Sequence, residues 1–285
     1  MMKGTYLIFV AVLVLSTWAY AEEPPLSTQE QERVRQLTQE MVTQGIPEAG
    51  VERMFTLMHQ KRYQERNIVR AQQTIQNAAQ ENLPTEPLMH KAMEGMAKQV
   101  PEEQVIAAME RVRDRYSYSY QQARSLSADQ KTNERVAEAI AGSLAAGITD
   151  QEMDMIMTQL QVRTRQETRN QADDLALETM QTVRSMVRLG AKSTDVSDTV
   201  CKALQNRYTA RNMEQLRHRF ADEAQQNGPG QFAHQHAQSL SRANDSGGQG
   251  ASGNESGGNE SGGSEAGGSG SGGSGSGGGS GGGGK

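Results

Sequence analysis

Residues 136–160 read VAEAIAGSLAAGITDQEMDMIMTQL, and this stretch decides the fold class. Apolar residues before and after Gly147 recur every three or four positions, which places each set on one face of a helix. The two sets are Val136, Ile140 and Leu144, then Met153, Met157 and Leu160. Gly147 tolerates the left-handed backbone conformation that ends a helix, and Asp150 favours the positive N-terminal end of the next one. The stretch therefore predicts a helical hairpin with a buried seam.

Similar turns recur along the chain and suggest a repeat. They are Gly45–Glu48, Gln99–Glu102, Gly147–Asp150 and Gly190–Ser193, at intervals of 54, 48 and 43 residues. Apolar stripes follow each turn, beginning at Val51, Val105, Met153 and Val196. Aromatic residues make up only 4% of the chain, and the abundant unbranched residues favour helices. We therefore expect an all-α protein of four degenerate helical hairpins over residues 22–224, arranged as a short α-solenoid or a bundle.

The two ends of the chain have their own compositions. Residues 1–21 combine Lys3, an apolar run from Leu7 to Leu15, and small residues at Ala19 and Ala21, which is typical of a signal peptide cleaved after Ala21. Residues 225–244 are expected to be a transition segment with a weak helical stretch. Residues 245–285 are mostly Gly and Ser and have almost no apolar surface to offset the entropy of ordering. This tail is predicted to be disordered.

Composition also argues against several classes of protein. A net charge of −5 does not favour a nucleic-acid binder, which would carry a basic domain. No apolar run after residue 21 approaches membrane-spanning length, so no membrane association is expected after signal cleavage. Cys201 is the one cysteine and cannot form an intramolecular disulfide, so we interpret it as a small buried hydrophobic residue.

Tyrosine and arginine supply the candidate partner-binding residues. Arg-Tyr pairs are expected late in the second helix of three hairpins, where each tyrosine either closes the hairpin or belongs to a ligand-binding row. A Tyr-Ser-Tyr-Ser-Tyr stretch is expected to expose at least one ring, since alternate residues point to different helix faces. The candidates are Arg62, Tyr63, Arg115, Tyr116, Tyr118, Tyr120, Arg207 and Tyr208.

Motifs for catalysis and tight metal binding are missing from the sequence. There is no phosphate-binding glycine loop and no paired metal-ligand spacing, so neither an enzyme nor a cofactor is expected. His234 and His236 could bind a divalent metal weakly, but two ligands make a poor site. No metal site is predicted.

One short segment resembles a known family. Leu126-Ser-Ala-Asp-Gln130 is similar to the LTxxQ-type motif of Spy-like periplasmic chaperones, which are also helical and rich in Met and Gln. The resemblance covers five residues, and Ser127 stands where the motif has threonine. It implies chaperone activity as one alternative, without implying membership of the family.

The favoured hypothesis is an exported, non-catalytic interaction or scaffold protein of the cell envelope, periplasmic or secreted. Its expected partner is another envelope or secreted protein, and its oligomeric state is open. One alternative is a periplasmic holdase chaperone that binds clients through Met-rich surfaces. Another is a metal or small-ligand binder. An exposed apolar groove would favour the chaperone, a polar surface with one compact patch the scaffold, and converging His or Met side chains the ligand binder.

Overall fold

A computed structural model describes residues 25–245, which form eleven α-helices and no β-strand. The helices are Thr28–Val42 (α1), Glu48–Gln60 (α2), Glu65–Gln80 (α3), Glu86–Ala97 (α4), Glu102–Leu126 (α5), Gln130–Ala146 (α6), Asp150–Thr164 (α7), Arg169–Arg188 (α8), Ser193–Gln205 (α9), Ala210–Asn227 (α10) and Pro229–Asp245 (α11). The all-α prediction is confirmed. Each of the four turns predicted from the sequence separates two helices, and the stripe residues after those turns are buried.

Side-chain caps explain where several helices begin. Thr149 precedes α7, and its hydroxyl accepts a hydrogen bond from the backbone N–H of Glu152 (3.3 Å). The Glu152 carboxylate in turn accepts from the Thr149 backbone N–H (3.1 Å), which completes a capping box. Ser27 and Thr209 make the same reciprocal contacts before α1 and α10. Polar residues at these positions satisfy backbone donors that have no partner inside the helix.

A shared hydrogen-bond pattern ends seven of these helices. After α6, the N–H of Gly147 donates to Leu144 and that of Ile148 donates to Ser143, both at 3.2 Å. This is the Schellman arrangement, which needs a left-handed residue and is frequently accompanied by an apolar contact from the residue after it. The seven left-handed residues are Gly45, Arg62, Asn82, Gln99, Gly147, Gly190 and Arg207. The apolar residues that follow them are Ile46, Tyr63, Leu83, Val100, Ile148, Ala191 and Tyr208.

The Gly turns and two of the three Arg-Tyr pairs therefore end helices in the same way. Arg62 and Arg207 have φ of 57° and 56° and occupy the position that Gly147 occupies after α6. The expectation that all three pairs lie late in a second helix is wrong. Arg62-Tyr63 and Arg207-Tyr208 lie in connections, whereas Arg115-Tyr116 lies in the middle of α5.

Helix contacts are local along the chain and give an open stack. Each helix from α1 to α10 packs against the next helix, against the helix two positions on, or against both, as α6 does with α8 and α7 with α9. Apart from a small contact between α5 and α8, every substantial contact of the described helices follows this rule. A closed bundle would bring early and late helices together. Of the two arrangements left open by the sequence, the contacts therefore fit the solenoid.

Two hydrophobic cores follow one another along the stack. The first runs from Val34 to Val112 and the second from Ala123 to Leu240. The long helix α5 contributes to both: Met109 belongs to the first core and Ala123 to the second. Tyr120 lies between them and packs against both. Helix α5 thus joins the two cores without a break in the backbone.

The stack continues past the boundary expected at residue 224. Helix α10 ends at Asn227, and α11 follows after Gly228 and packs on α9 and α10. Ala233, Ala237 and Leu240 of α11 are buried. The hydroxyl of Thr199 on α9 also donates to the Ala233 carbonyl (3.0 Å). Residues 229–245 therefore belong to the helical domain, because α9 supplies apolar surface and hydrogen-bond donors for them.

The predicted signal peptide, with Ala19 and Ala21, lies outside the described residues, as does the Gly/Ser tail from residue 246 onward. Among the helices of residues 25–245, none is long and apolar enough to cross a membrane.

Candidate protein-binding groove

The three clustered tyrosines lie where the two cores meet. Tyr116 packs against the first core, Tyr118 against the second and Tyr120 against both. All three rings are half-buried, and the Tyr118 hydroxyl donates to the Asp154 carboxylate on α7. Burial is the main cause that raises the pKa of Tyr120 to about 12. These side chains fix α5 against its neighbours, and none is among the exposed large hydrophobic residues.

The other candidates from the sequence lie in separate places. Tyr63 follows α2 and packs against the first core, whereas Tyr208 follows α9 and packs against the second. The Tyr208 and His236 rings are arranged edge to face, with 6.5 Å between their centroids. Arg62 and Arg207 are exposed beside them, and Arg115 is half-buried in α5. The structure does not bring these eight residues together as one surface.

Metal ligands do not converge in the described part of the chain. Within residues 25–245 there is no group of three or more His, Cys, Asp or Glu side chains that could hold an ion. His234 is exposed and contacts Gln238 (2.7 Å), whereas His236, two residues away, is half-buried. The two imidazoles therefore have different surroundings on α11.

Methionines form the cores and contribute little to the surface. Thirteen of the 15 methionines lie in the described residues, and eleven of those are buried. Met93 is half-buried, and Met155 on α7 is 49% exposed. Flexible methionine side chains fill helix seams well, which explains a core with few aromatic residues.

A groove between α7 and α9 surrounds the one exposed methionine of the described chain. It encloses about 730 Å³, within the range of ligand sites. Its lining residues are Gln151, Glu152, Met155, Thr158 and Gln159 from α7, and Thr194, Ser197, Asp198, Cys201, Lys202 and Gln205 from α9. We call this the α7–α9 groove. It exists because α7 and α9 are stacked neighbours that present their outer faces side by side.

A second exposed apolar residue of α7 lies beyond the groove. Met155 and Val162 are each 49% exposed and lie seven residues apart, on the same face of the helix. They are two of only four exposed large hydrophobic residues in the described chain; Val42 and Leu189 are the others. Met155 therefore gives the groove an exposed apolar contact among mainly polar lining residues.

Charged groups line the other parts of the groove. Burial alone would raise the pKa of Glu152, but hydrogen bonds from Ser193 and Thr149 outweigh it and hold the pKa below its ordinary value. Glu152 thus stays ionised at neutral pH. Asp198 pairs with Lys202 at 2.8 Å. The one ammonium that lines the groove is therefore already neutralised.

Cys201 is half-buried in the groove. Burial is the main cause that raises the pKa of its thiol, and Asp198 adds to this effect. The thiol is therefore protonated at neutral pH and is a poor nucleophile. Its role in the groove is that of a small apolar contact.

The groove was not predicted from the sequence, although one signal was available. Met155 and Val162 are apolar residues that fall off the buried stripe of Met153, Met157 and Leu160. Apolar side chains on the polar face of an amphipathic helix can mark a contact surface. That α9 lies beside α7 depends on stacking, which the apolar pattern alone does not specify.

Comparison of this chain with protein-family models, with curated proteins and with solved structures finds no match. The groove must therefore be interpreted from its own geometry.

Proposed function

We propose that this protein is an exported, non-catalytic scaffold of the cell envelope that binds another protein through the α7–α9 groove. The signal-like residues 1–21 support export to the periplasm or the medium. The open stack of helices supports a binding role, because stacked helical repeats present extended surfaces to partners.

The observation that carries this proposal is the position of Met155. Among the methionines of residues 25–245 it is the exposed one, whereas eleven are buried, and it lies in a groove lined mainly by polar side chains. An apolar contact surrounded by polar groups is the usual anatomy of a specific protein interface.

The holdase alternative has less support. Such a chaperone would shield clients with broad, Met-rich surfaces, whereas the methionines described here lie mainly in the two cores. The exposed apolar residues are few and include one short stripe on α7. This pattern favours one compact contact site.

Site-specific photo-crosslinking in the native envelope tests the binding role. A crosslinking amino acid at Met155 should give a discrete crosslinked species, and one at Glu138, an exposed residue of α6, should not. Met155→Asp should abolish association with the crosslinked partner, while Glu138→Gln should leave it unchanged. No product from position 155, or equal products from both positions, would contradict the proposal.

Sequencing of the N-terminus tests the export part separately. The secreted form should begin at Glu22, because Ala19 and Ala21 supply the small side chains that signal peptidase requires. Retention in the membrane with Met1 intact would mean that the segment is an anchor.

A further inference from the structure

The chemistry of the groove narrows the kind of partner that it can bind, and this inference rests on the proposed function. We infer that the α7–α9 groove binds an extended peptide segment of another protein, in which one apolar side chain is flanked by Lys or Arg.

The sulfur-containing side chains that line the groove can contact one apolar side chain of a peptide. Met155 of α7 and Cys201 of α9 line the groove together. A flexible thioether and a small protonated thiol suit an aliphatic side chain of varied shape. Polar residues make up most of the remaining lining, so a continuous apolar helix face would meet polar groups on both sides.

Neutral polar side chains favour an extended main chain. Gln151, Gln159 and Gln205 line the groove, and each amide can both donate and accept hydrogen bonds. Ser197 is 1% exposed and lines the groove, and its Oγ has no hydrogen-bond partner of normal geometry. The neighbouring Cys201 thiol is at most a weak partner. An extended peptide has unpaired N–H and C=O groups to offer these side chains, whereas a helix has already used most of its own.

The length of the groove also fits a short extended segment. Gln151 and Gln159 are eight residues apart on α7, which is about 12 Å along a helix. A strand advances about 3.3 Å per residue, so roughly four extended residues cover this distance. The two amides can therefore contact main-chain groups on either side of one anchored side chain.

The negative charge of the groove favours a peptide with basic residues beside its apolar residue. Glu152 and Asp198 are the two carboxylates that line the groove. Lys202 offsets part of this negative charge through its ion pair with Asp198. A peptide with Lys or Arg beside its apolar residue would complement the remaining carboxylate, Glu152.

The protein's own tail does not have this chemistry. Residues 246–285 contain Gly, Ser and a few acidic residues, and their single basic residue is Lys285 at the end. Residues 246–285 are therefore not the segment that the groove is inferred to bind.

Titration of the ¹⁵N-labelled mature protein with three blocked pentapeptides tests the inference. The peptides are acetyl-Gly-Lys-Leu-Lys-Gly-amide, the same peptide with Glu in place of both Lys, and the same peptide with Ser in place of Leu. The Lys-Leu-Lys peptide should shift the side-chain amide signals of Gln151, Gln159 and Gln205. Its Kd should be roughly tenfold lower than that of the Glu peptide, and the Ser peptide should not saturate.

Glu152→Gln is the informative variant, because glutamine preserves the capping box while it removes the charge. It should reduce the preference for the Lys peptide, whereas Glu138→Gln on α6 should not. Equal or better binding of the Glu peptide, or no shifts in the groove with any peptide, would overturn the inference. A partner that crosslinks at Met155 in such a case would show that the groove binds protein but that this peptide chemistry is wrong.

Discussion

Arg207 and Arg115 each precede a tyrosine, yet the backbone holds them in different conformations. Arg207 has a φ of 56° and ends α9, whereas Arg115 lies inside α5. A residue with a Cβ in the left-handed region is strained, and glycine relieves that strain. Glycine inside a helix has the opposite effect, because it has the greater conformational freedom to lose on folding.

Arg207→Gly should therefore stabilise the fold by about 0.5–1 kcal/mol. Arg115→Gly should destabilise it by about 1 kcal/mol. Urea denaturation of both variants measures the two changes in the free energy of unfolding. Changes of the same sign would contradict the assignment of these two arginines to different backbone conformations.

The sequence could not distinguish these arginines by the dipeptide itself. What differs is the residues that follow. Thr209 caps a new helix after Arg207-Tyr208, with Asn212 as its reciprocal partner. After Arg115-Tyr116 the next turns of α5 pack against the second core, and Ser119 is fully buried there. A helix end thus depends on the next cap and on tertiary packing as well as on its own residues.

His236 gives α11 a dependence on pH. Burial is the main cause that lowers the pKa of His236, and the charge of Arg219 on α10 adds to this effect. A histidine with a lowered folded-state pKa favours its neutral form, so it stabilises the fold above its unfolded pKa of about 6.5. That contribution is lost as the pH falls below this value.

Thermal unfolding at pH 7.5 and pH 5.0 tests this effect. His236→Gln should reduce the loss of Tm between the two pH values, because glutamine cannot acquire the charge. His234→Gln is the matched control on the same helix, since His234 is exposed, and it should behave as the parent protein does. If both variants lost the same amount of Tm between pH 7.5 and pH 5.0, burial of His236 would not contribute to the pH dependence of stability.

At the scale of elements, α11 shows how packing overrides a weak local signal. Gly228-Pro229-Gly230 suggests the end of a domain, and the next residues are rich in His, Gln and Ala. The structure nevertheless buries Ala233, Ala237 and Leu240 against α9 and α10. Thr199 of α9 and Asn206, the residue after α9, also donate to the α11 carbonyls of Ala233 and Leu240.

Truncation after Gly228 should lower the free energy of unfolding by roughly 2–3 kcal/mol, because it removes the buried Ala233, Ala237 and Leu240 and exposes the surface of α9 and α10 that they cover. The Tm should fall by roughly 5–10 °C. Truncation after Asp245 is the control and should leave the Tm unchanged, because the Gly/Ser tail has almost no apolar surface. A truncation after Gly228 without effect would show that α11 contributes nothing to the fold.

For the molecule as a whole, local patterns predicted the helices better than their arrangement. The apolar stripes after Gly45, Gln99, Gly147 and Gly190 are buried, as periodicity indicated. The helix ends at Arg62 and Asn82 both lie between Gly45 and Gln99, so this interval spans three helices, whereas each of the next two intervals spans two. Tyr118 and Asp154 are hydrogen-bonded and lie 36 residues apart in the sequence, which illustrates the sequence separation between stacked helices. The groove lies between two stacked helices and so could not be derived from either one.

The proposed binding at the α7–α9 groove depends on the open stack with two cores, because this stack leaves α7 and α9 with a shared outer face. Contacts between helices are local, so damage to the second core should remain there. Leu216 on α10 is fully buried in that core. Leu216→Asp places a charge in an apolar seam and should cost several kcal/mol.

Hydrogen exchange on Leu216→Asp, followed by mass spectrometry, is the most direct test of this premise. The open stack predicts that amides of α1–α4 keep their protection, because the first core extends only to Val112, while amides of α8–α11 exchange faster. Equal loss of protection from α1 to α11 would contradict the open stack and would indicate a single cooperative bundle.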